Sequence, residues 1–180
     1  NGGNKEADDF SFSVNAAQPV PFEADGENQM TVNAGEYDIL EPVVTGYATT
    51  YNNCENVVVP NGGSATCTIT NDDIAPKLTL VKTVTNDNGG NAVVSDFPLF
   101  VNGNSVTSGT QNTLSANTLY TATEINLAGY TAGTWGGDCT ANGTITLQPG
   151  DVSGVKPGQA IVTGTQDRTE QPTLLPRNKY

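Results

Sequence analysis

The sequence predicts two tandem antiparallel β-sandwich domains, and three observations carry that prediction. First, the chain repeats itself. Asn1-Gly2-Gly3-Asn4 leads to Asp9-Phe10 as Asn88-Gly89-Gly90-Asn91 leads, at the same spacing, to Asp96-Phe97. Tyr37-x-x-x-Glu41 followed by Gly46-Tyr47 returns as Tyr120-x-x-x-Glu124 followed by Gly129-Tyr130. A repeat on this scale marks two copies of one structural unit. Second, apolar residues alternate with period two, and no window places them at helical spacing. Third, Asn-Gly pairs, which tolerate positive φ and favour hairpin turns, punctuate the alternating runs.

Taken in order, Phe10-Ser11-Phe12-Ser13-Val14 reads as a strand with one buried face, as do Thr66-Cys67-Thr68-Ile69-Thr70, Leu78 to Val84, and Thr144-Ile145-Thr146-Leu147. The turns fall at Asn61, Asn88, Asn102 and Asn142. The first copy spans 1–73 and begins where its first hairpin turn is due, so its first strand is missing. Residues 74–76, ending in Pro76, form a linker. The second copy spans 77–167. The remainder, 168–180, has no counterpart in either copy and reads as a C-terminal tail. The chain opens inside a motif, without an initiating Met, and reads as a processed or excised segment.

Composition narrows the function. Seven Lys and Arg stand against 19 Asp and Glu, a net charge of -12, which disfavours nucleic acid and anionic membranes as partners. No apolar run is long enough to span a bilayer. There is no His, so the commonest general base and metal ligand is absent, and no nucleophile–base motif is visible. The reading is therefore not an enzyme, with no cofactor and no metal. Asn86-Asp87-Asn88-Gly89-Gly90-Asn91 is rich in oxygen ligands, but it lacks a closing bidentate Glu and reads as a turn. Cys54 and Cys67 flank a segment ending in the Pro60-Asn61-Gly62-Gly63 turn and are predicted to face each other across a hairpin as a disulfide, in an oxidising compartment; two reduced buried thiols are the alternative. Val162 stands where the second copy would repeat Cys67, so Cys139 is either a buried free thiol, the preferred reading, or an intermolecular link.

Three blocks carry a family resemblance: Leu78 to Gly90, the Tyr-x-x-x-Glu…Gly-Tyr block, and Cys67-Thr68-Ile69-Thr70-Asn71-Asp72. With them the chain, apart from its tail, resembles the prealbumin-like, Ig-like repeats of microbial surface proteins. It is similar to the collagen-adhesin B-type and SpaA-like domains of adhesins and Gram-positive pilins. The resemblance implies a stalk, filament or adhesin module at the cell surface. Many such domains carry an internal isopeptide bond, in which a first-strand lysine attacks the amide of a last-strand asparagine while a buried acid assists. The amine must be neutral to attack, which burial among apolar residues favours. The resemblance assigns Lys82, Glu124 and Gln166 to these roles in the second copy, with glutamine one methylene longer than the usual asparagine. In the first copy it assigns Glu41 and Asn71, and the lysine is missing with its strand. Without the resemblance, a strand lysine normally points its ammonium at water, and a Glu after a Tyr-rich strand normally lies on a solvated face.

A sandwich lacking an edge strand exposes unpaired backbone groups. Either an upstream part has been removed, or another subunit supplies the strand. The candidate donor is Thr173-Leu174-Leu175 of the tail, although Pro176 falls where Lys82 would align and cannot donate to a ladder. The predicted partners are thus other copies of the same chain, in a homopolymer. The alternative is an adhesin that binds a glycan or protein surface ligand through loops near Trp135 or the Asn102-Gly103 turn. Trp135 otherwise caps the second core.

Overall fold

The computed structural model describes residues 1–151 and, as backbone, Gln159–Asp167. The chain is all-β, and its helical content among the described residues is two one-turn 3-10 helices, Ala7–Asp9 and Val94–Asp96. These occupy equivalent places in the repeat and close in the same way. The Glu6 N–H donates to Asp9 Oδ2 at 3.1 Å, and the Val93 N–H donates to Asp96 Oδ2 at 2.9 Å. The Asp of each Asp-Phe pair therefore satisfies a backbone donor just before the strand that follows it.

The chain divides into two compact units, with the boundary after Pro76. Two short segments, Ser115–Asn117 and Gln148–Asp151, fall with the first unit. The first unit contains β1 (Ser11–Val14), β2 (Val20–Pro21), β3 (Gly35–Tyr37), β4 (Ile39–Leu40), β5 (Tyr47–Asn52), β6 (Val57–Val59) and β7 (Thr68–Asp73). β1 lies between β2 and β4, β3 pairs with β6, and β5 pairs with β7, all antiparallel. Asp38 separates β3 from β4: its N–H donates to Asn15 Oδ1 and its own Oδ1 accepts from the Asn56 N–H, both at 2.8 Å. The buried apolar side chains are few, chiefly Phe10, Phe12, Cys54 and Val57.

The second unit contains β8 (Lys77–Thr85), β9 (Leu99–Val101), β10 (Asn104–Val106), β11 (Gln111–Thr113), β12 (Leu119–Glu124), β13 (Thr131–Ala132), β14 (Gly136–Gly137), β15 (Thr144–Thr146) and β16 (Gln159–Asp167). One sheet runs β10-β9-β12-β15 and the other β11-β8-β16-β13, with β14 also on β16. Leu78 and Leu80 of β8, both fully buried, meet Leu99, Val101, Tyr120, Ala122, Ile145 and Leu147 of the opposite sheet and its flank. Facing sheets with interdigitated apolar sides make a sandwich core.

Two sequence expectations are corrected. β8 and β16 run parallel, from Gln159↔Lys77 to Asp167↔Thr85, within an otherwise antiparallel structure. They are the first and last strands of the unit, so no tight turn dictates an antiparallel pairing. Of the four Asn-Gly turns, the one at Asn102-Gly103 joins two strands that pair with each other, β9 and β10, with φ of 47° and 81°. Those at Asn61, Asn88 and Asn142 turn the chain between strands of different pairs. Asn-Gly supplies positive φ to any tight turn, and the tertiary pairing decides whether that turn becomes a hairpin.

Candidate functional site

In the second unit the alternation of β8 puts Leu78, Leu80 and Lys82 on its inward face. Lys82 therefore enters the core with the leucines, where it is 3% exposed. Its Nζ lies 2.7 Å from Glu124 Oε2, with the two side chains 0% and 7% exposed. It also lies 4.6 Å from the centroid of the Phe97 ring, a cation–π contact. Phe97 is held edge-on by Tyr130, with centroids 5.3 Å apart. The Tyr130 hydroxyl accepts from the Ala92 N–H at 3.0 Å and donates to Asn86 Oδ1 at 2.7 Å. Both general expectations for these residues fail here: the lysine does not point at water, and the Glu does not lie on a solvated face. A strand lysine whose neighbours on the same face are buried has no route to solvent, and a partner acid must be buried with it. The β8–β16 register sets Gly164 beside Lys82 and Gln166 beside Val84. Alternate positions share a sheet face, so Lys82 and Gln166 belong to one face. Across β13, Ala132 stands opposite Gln166.

Among the described residues the first unit rebuilds this site without a lysine. Glu41 is 8% exposed. Asn71, on the inward face of β7, donates from Nδ2 to Glu41 Oε2 at 2.9 Å. Thr49, its cross-strand partner on β5, donates from Oγ1 to Asn71 Oδ1 at 2.8 Å and lies 3.4 Å from Glu41 Oε1. Phe10 repeats Phe97 and stacks edge-on with Tyr47 at 5.2 Å, as Phe97 does with Tyr130. The Tyr47 hydroxyl accepts from the Lys5 N–H at 3.2 Å, the counterpart of Ala92 and Tyr130. Among the described residues no cationic side chain pairs with Glu41, and Lys5 instead places its ammonium 5.9 Å from the Phe10 ring. The structure thus brings together Lys82 with Glu124, and Glu41 with Asn71.

Several contributors went unassigned in the sequence. Phe10, Phe97, Tyr47 and Tyr130 were visible as repeat landmarks, and their pairwise recurrence was the available signal. Thr49 carried none, because its counterpart in the second unit is Ala132. The two units therefore pair Thr49 with Asn71 and Ala132 with Gln166.

Cys54 and Cys67 form a disulfide, with Cα atoms 4.7 Å apart and a sequence separation of 13. It closes the end of the β5–β7 ladder beside the Asn52↔Thr68 pair. The intervening β6 leaves to pair with β3, so the cysteines do not face each other across a simple hairpin as predicted. Cys139 is a free thiol packed against the second core, and burial pushes its pKa up. Trp135 packs against the same core. The Asn102 side chain accepts from the Thr121 N–H at 2.8 Å and so tethers its hairpin to β12. Asn86 spends its amide on the Ala92 carbonyl and its carbonyl on Tyr130, which accounts for one oxygen ligand of the calcium-like turn. The side chain of Gln166 and the tail residues Thr173, Leu174 and Leu175 lie outside the described residues.

A family model described as a prealbumin-like fold domain, SpaA_2, matches residues 1–69 and 73–165. No curated protein matches the chain.

Proposed function

Since the chain belongs to the SpaA_2 family of prealbumin-like fold domains, we propose that it is a structural subunit of an extracellular filament, pilus-like fibre or surface stalk, assembled head-to-tail by strand complementation. The observation that carries this reading is the buried lysine–glutamate pair bridging the two sheets of the second unit, rebuilt without its lysine in the first. A buried ion pair adds little net stability over well-packed apolar residues. It makes sense as the precursor of a covalent staple. The Lys82 amine attacks the Gln166 carboxamide carbon, an amide bond forms, and ammonia leaves with the amide nitrogen. Glu124 relays the proton from the attacking amine to the leaving nitrogen. Each event happens once, with no turnover, as a load-bearing fibre requires and an enzyme does not. In the first unit Glu41 and Asn71 are the matching acid and amide.

Intact mass under denaturing, reducing conditions tests the chemistry. Closure in the second unit removes one ammonia, about 17 Da, and yields a branched peptide joining Lys82 to Gln166. An unmodified mass removes the staple and leaves a non-covalent module. Assembly is tested separately by truncation after Asp167. Polymerisation that continues unchanged rules out Thr173-Leu174-Leu175 as the donor. An adhesin role has weaker support, because Trp135 is spent on the core and Asn102 on its hairpin. Among the described residues no helix is long and apolar enough to cross a membrane.

A further inference from the structure

No charged residue occurs between Asp96 and Glu124, the longest uncharged stretch in a chain of net charge -12. The corresponding stretch of the first unit, between Val14 and Tyr37, carries Glu23, Asp25, Glu27 and Glu36. The uncharged stretch supplies β10 and β11, which are edge strands of the two facing sheets of the second unit. Between them lies a cleft of about 420 Å³. Clefts that hold small ligands usually measure about 300–1,000 Å³. Val101 and Tyr120 of the core, with Val106 and Leu114 packed against it, give the cleft an apolar floor. Its rim carries Asn104, Ser105, Gln111 and Thr113, whose side chains make no hydrogen bond among the described residues. The walls are pinned from behind. Asn102 ties the β9–β10 hairpin to β12, and Asn112 Nδ2 donates to the Leu78 carbonyl at 3.2 Å, which ties β11 to β8. A cleft set on paired strands is ready-shaped and loses little order when filled.

We infer that this cleft binds a short segment of a neutral glycan. The lining excludes the other ligand chemistries one by one. It offers no Lys or Arg for a phosphate or carboxylate and no Asp or Glu for a cation. A purely apolar ligand would bury the rim amides and hydroxyls without partners, at a cost. An added peptide strand needs a long row of free backbone groups, and β10 and β11 are three residues each. A neutral sugar meets both surfaces. Its hydroxyls each donate and accept, as the Asn104 and Gln111 amides and the Ser105 and Thr113 hydroxyls do. Its C–H faces rest on the apolar floor. The Asn102 amide and Trp135 take no part, since both are engaged within the fold. Such a site is independent of how subunits assemble, and it belongs to the second unit alone because the first has acids at the matching place.

The test is an NMR titration of the whole 180-residue chain, labelled with nitrogen-15. The probes are maltotriose, mannotriose and chitotriose, each raised to about 10 mM, enough to saturate a millimolar site. Trigalacturonate is the charged control, and an uncharged Thr-Ser peptide is the polypeptide control. At least one neutral sugar should produce saturable shifts at the Asn104 and Gln111 side-chain amides and the Ser105 and Thr113 backbone, with the first unit unmoved. Gln111→Ala and Asn104→Ala should each weaken that binding about five-fold, the effect of one lost hydrogen bond. Ser105→Trp should block the cleft. The unmodified chain gives the decisive shift map, so a poorly folded variant does not remove the test. No saturable shift at the cleft with any of the three sugars overturns the inference, and so do shifts spread evenly over both units. Equal binding of trigalacturonate overturns the neutrality on which the assignment stands. Shifts raised by the peptide and by none of the sugars give the cleft to a polypeptide and overturn it as well.

Discussion

The two units carry the same landmarks and differ in what fills the middle. The second unit has β8, which brings Leu78 and Leu80 to full burial and Lys82 against Glu124. Among the described residues the first unit has no such strand and β7 has one partner; Met30 and Val32 are exposed, and a disulfide closes the end of the β5–β7 ladder. One strand therefore does three things at once in this fold: it closes a sheet, fills a core and delivers a cation. A small sandwich without it must be held by other means, and a cross-link that restricts the unfolded chain is one of them.

The largest effect expected from breaking this contrast is at the buried pair. Lys82→Met leaves Glu124 buried without its cation and should cost the second unit about 3–5 kcal/mol. Adding Glu124→Gln should recover part of that loss. Glu41→Gln in the first unit should cost far less, because no cation is stranded there. Urea unfolding of the three variants measures the difference, and equal losses in the two units would end the asymmetry argued here. Next, Leu80→Ala should destabilise the second unit by about 2–5 kcal/mol through the cavity it opens. Calorimetry should show the other unit's transition unmoved.

Reduction of the Cys54–Cys67 disulfide should lower the stability of the first unit by about 2–4 kcal/mol, while the second unit, whose Cys139 is free, stays put. Thr49→Val removes the hydroxyl that orients Asn71 and should cost about 1 kcal/mol.

The smallest effect concerns Asp73. The Gly3 N–H, which donates to Oδ2 at 2.7 Å, and the N-terminal amine hold its carboxyl below the usual carboxylate value. A group with a depressed folded-state pKa contributes stability above its unfolded value, and that contribution disappears as pH falls through the folded value. The first unit should therefore lose this contribution only in acid, at and below a pH of about 4. Asp73→Asn should flatten that part of the profile, as followed by tyrosine fluorescence.

Much of this was legible in sequence because it depends on local periodicity. Period-two alternation placed β1, β8 and β15 close to where they form, and the recurrence of Tyr-x-x-x-Glu and Gly-Tyr marked the same corners in both copies. The pairing of Lys82 with Glu124 was assigned through resemblance: alternation puts Lys82 on the face of Leu78 and Leu80, but nothing in either segment says which residue it meets there. The break at Asp38, the hydroxyl of Thr49 and the departure of β6 from the Cys54–Cys67 segment were not legible. Each depends on a partner far along the chain.

By itself, the sequence determined the all-β class, the repeat and the cysteines available for a bridge, because alternation and residue identity are local properties. The tertiary structure alone decided that β8 and β16 run parallel, that Lys82 is sealed in the core, and that β7 in the first unit keeps an open edge among the described residues. Strand direction, burial and edge pairing are set by contacts between segments distant in sequence, and their energies appear only when the sheets close.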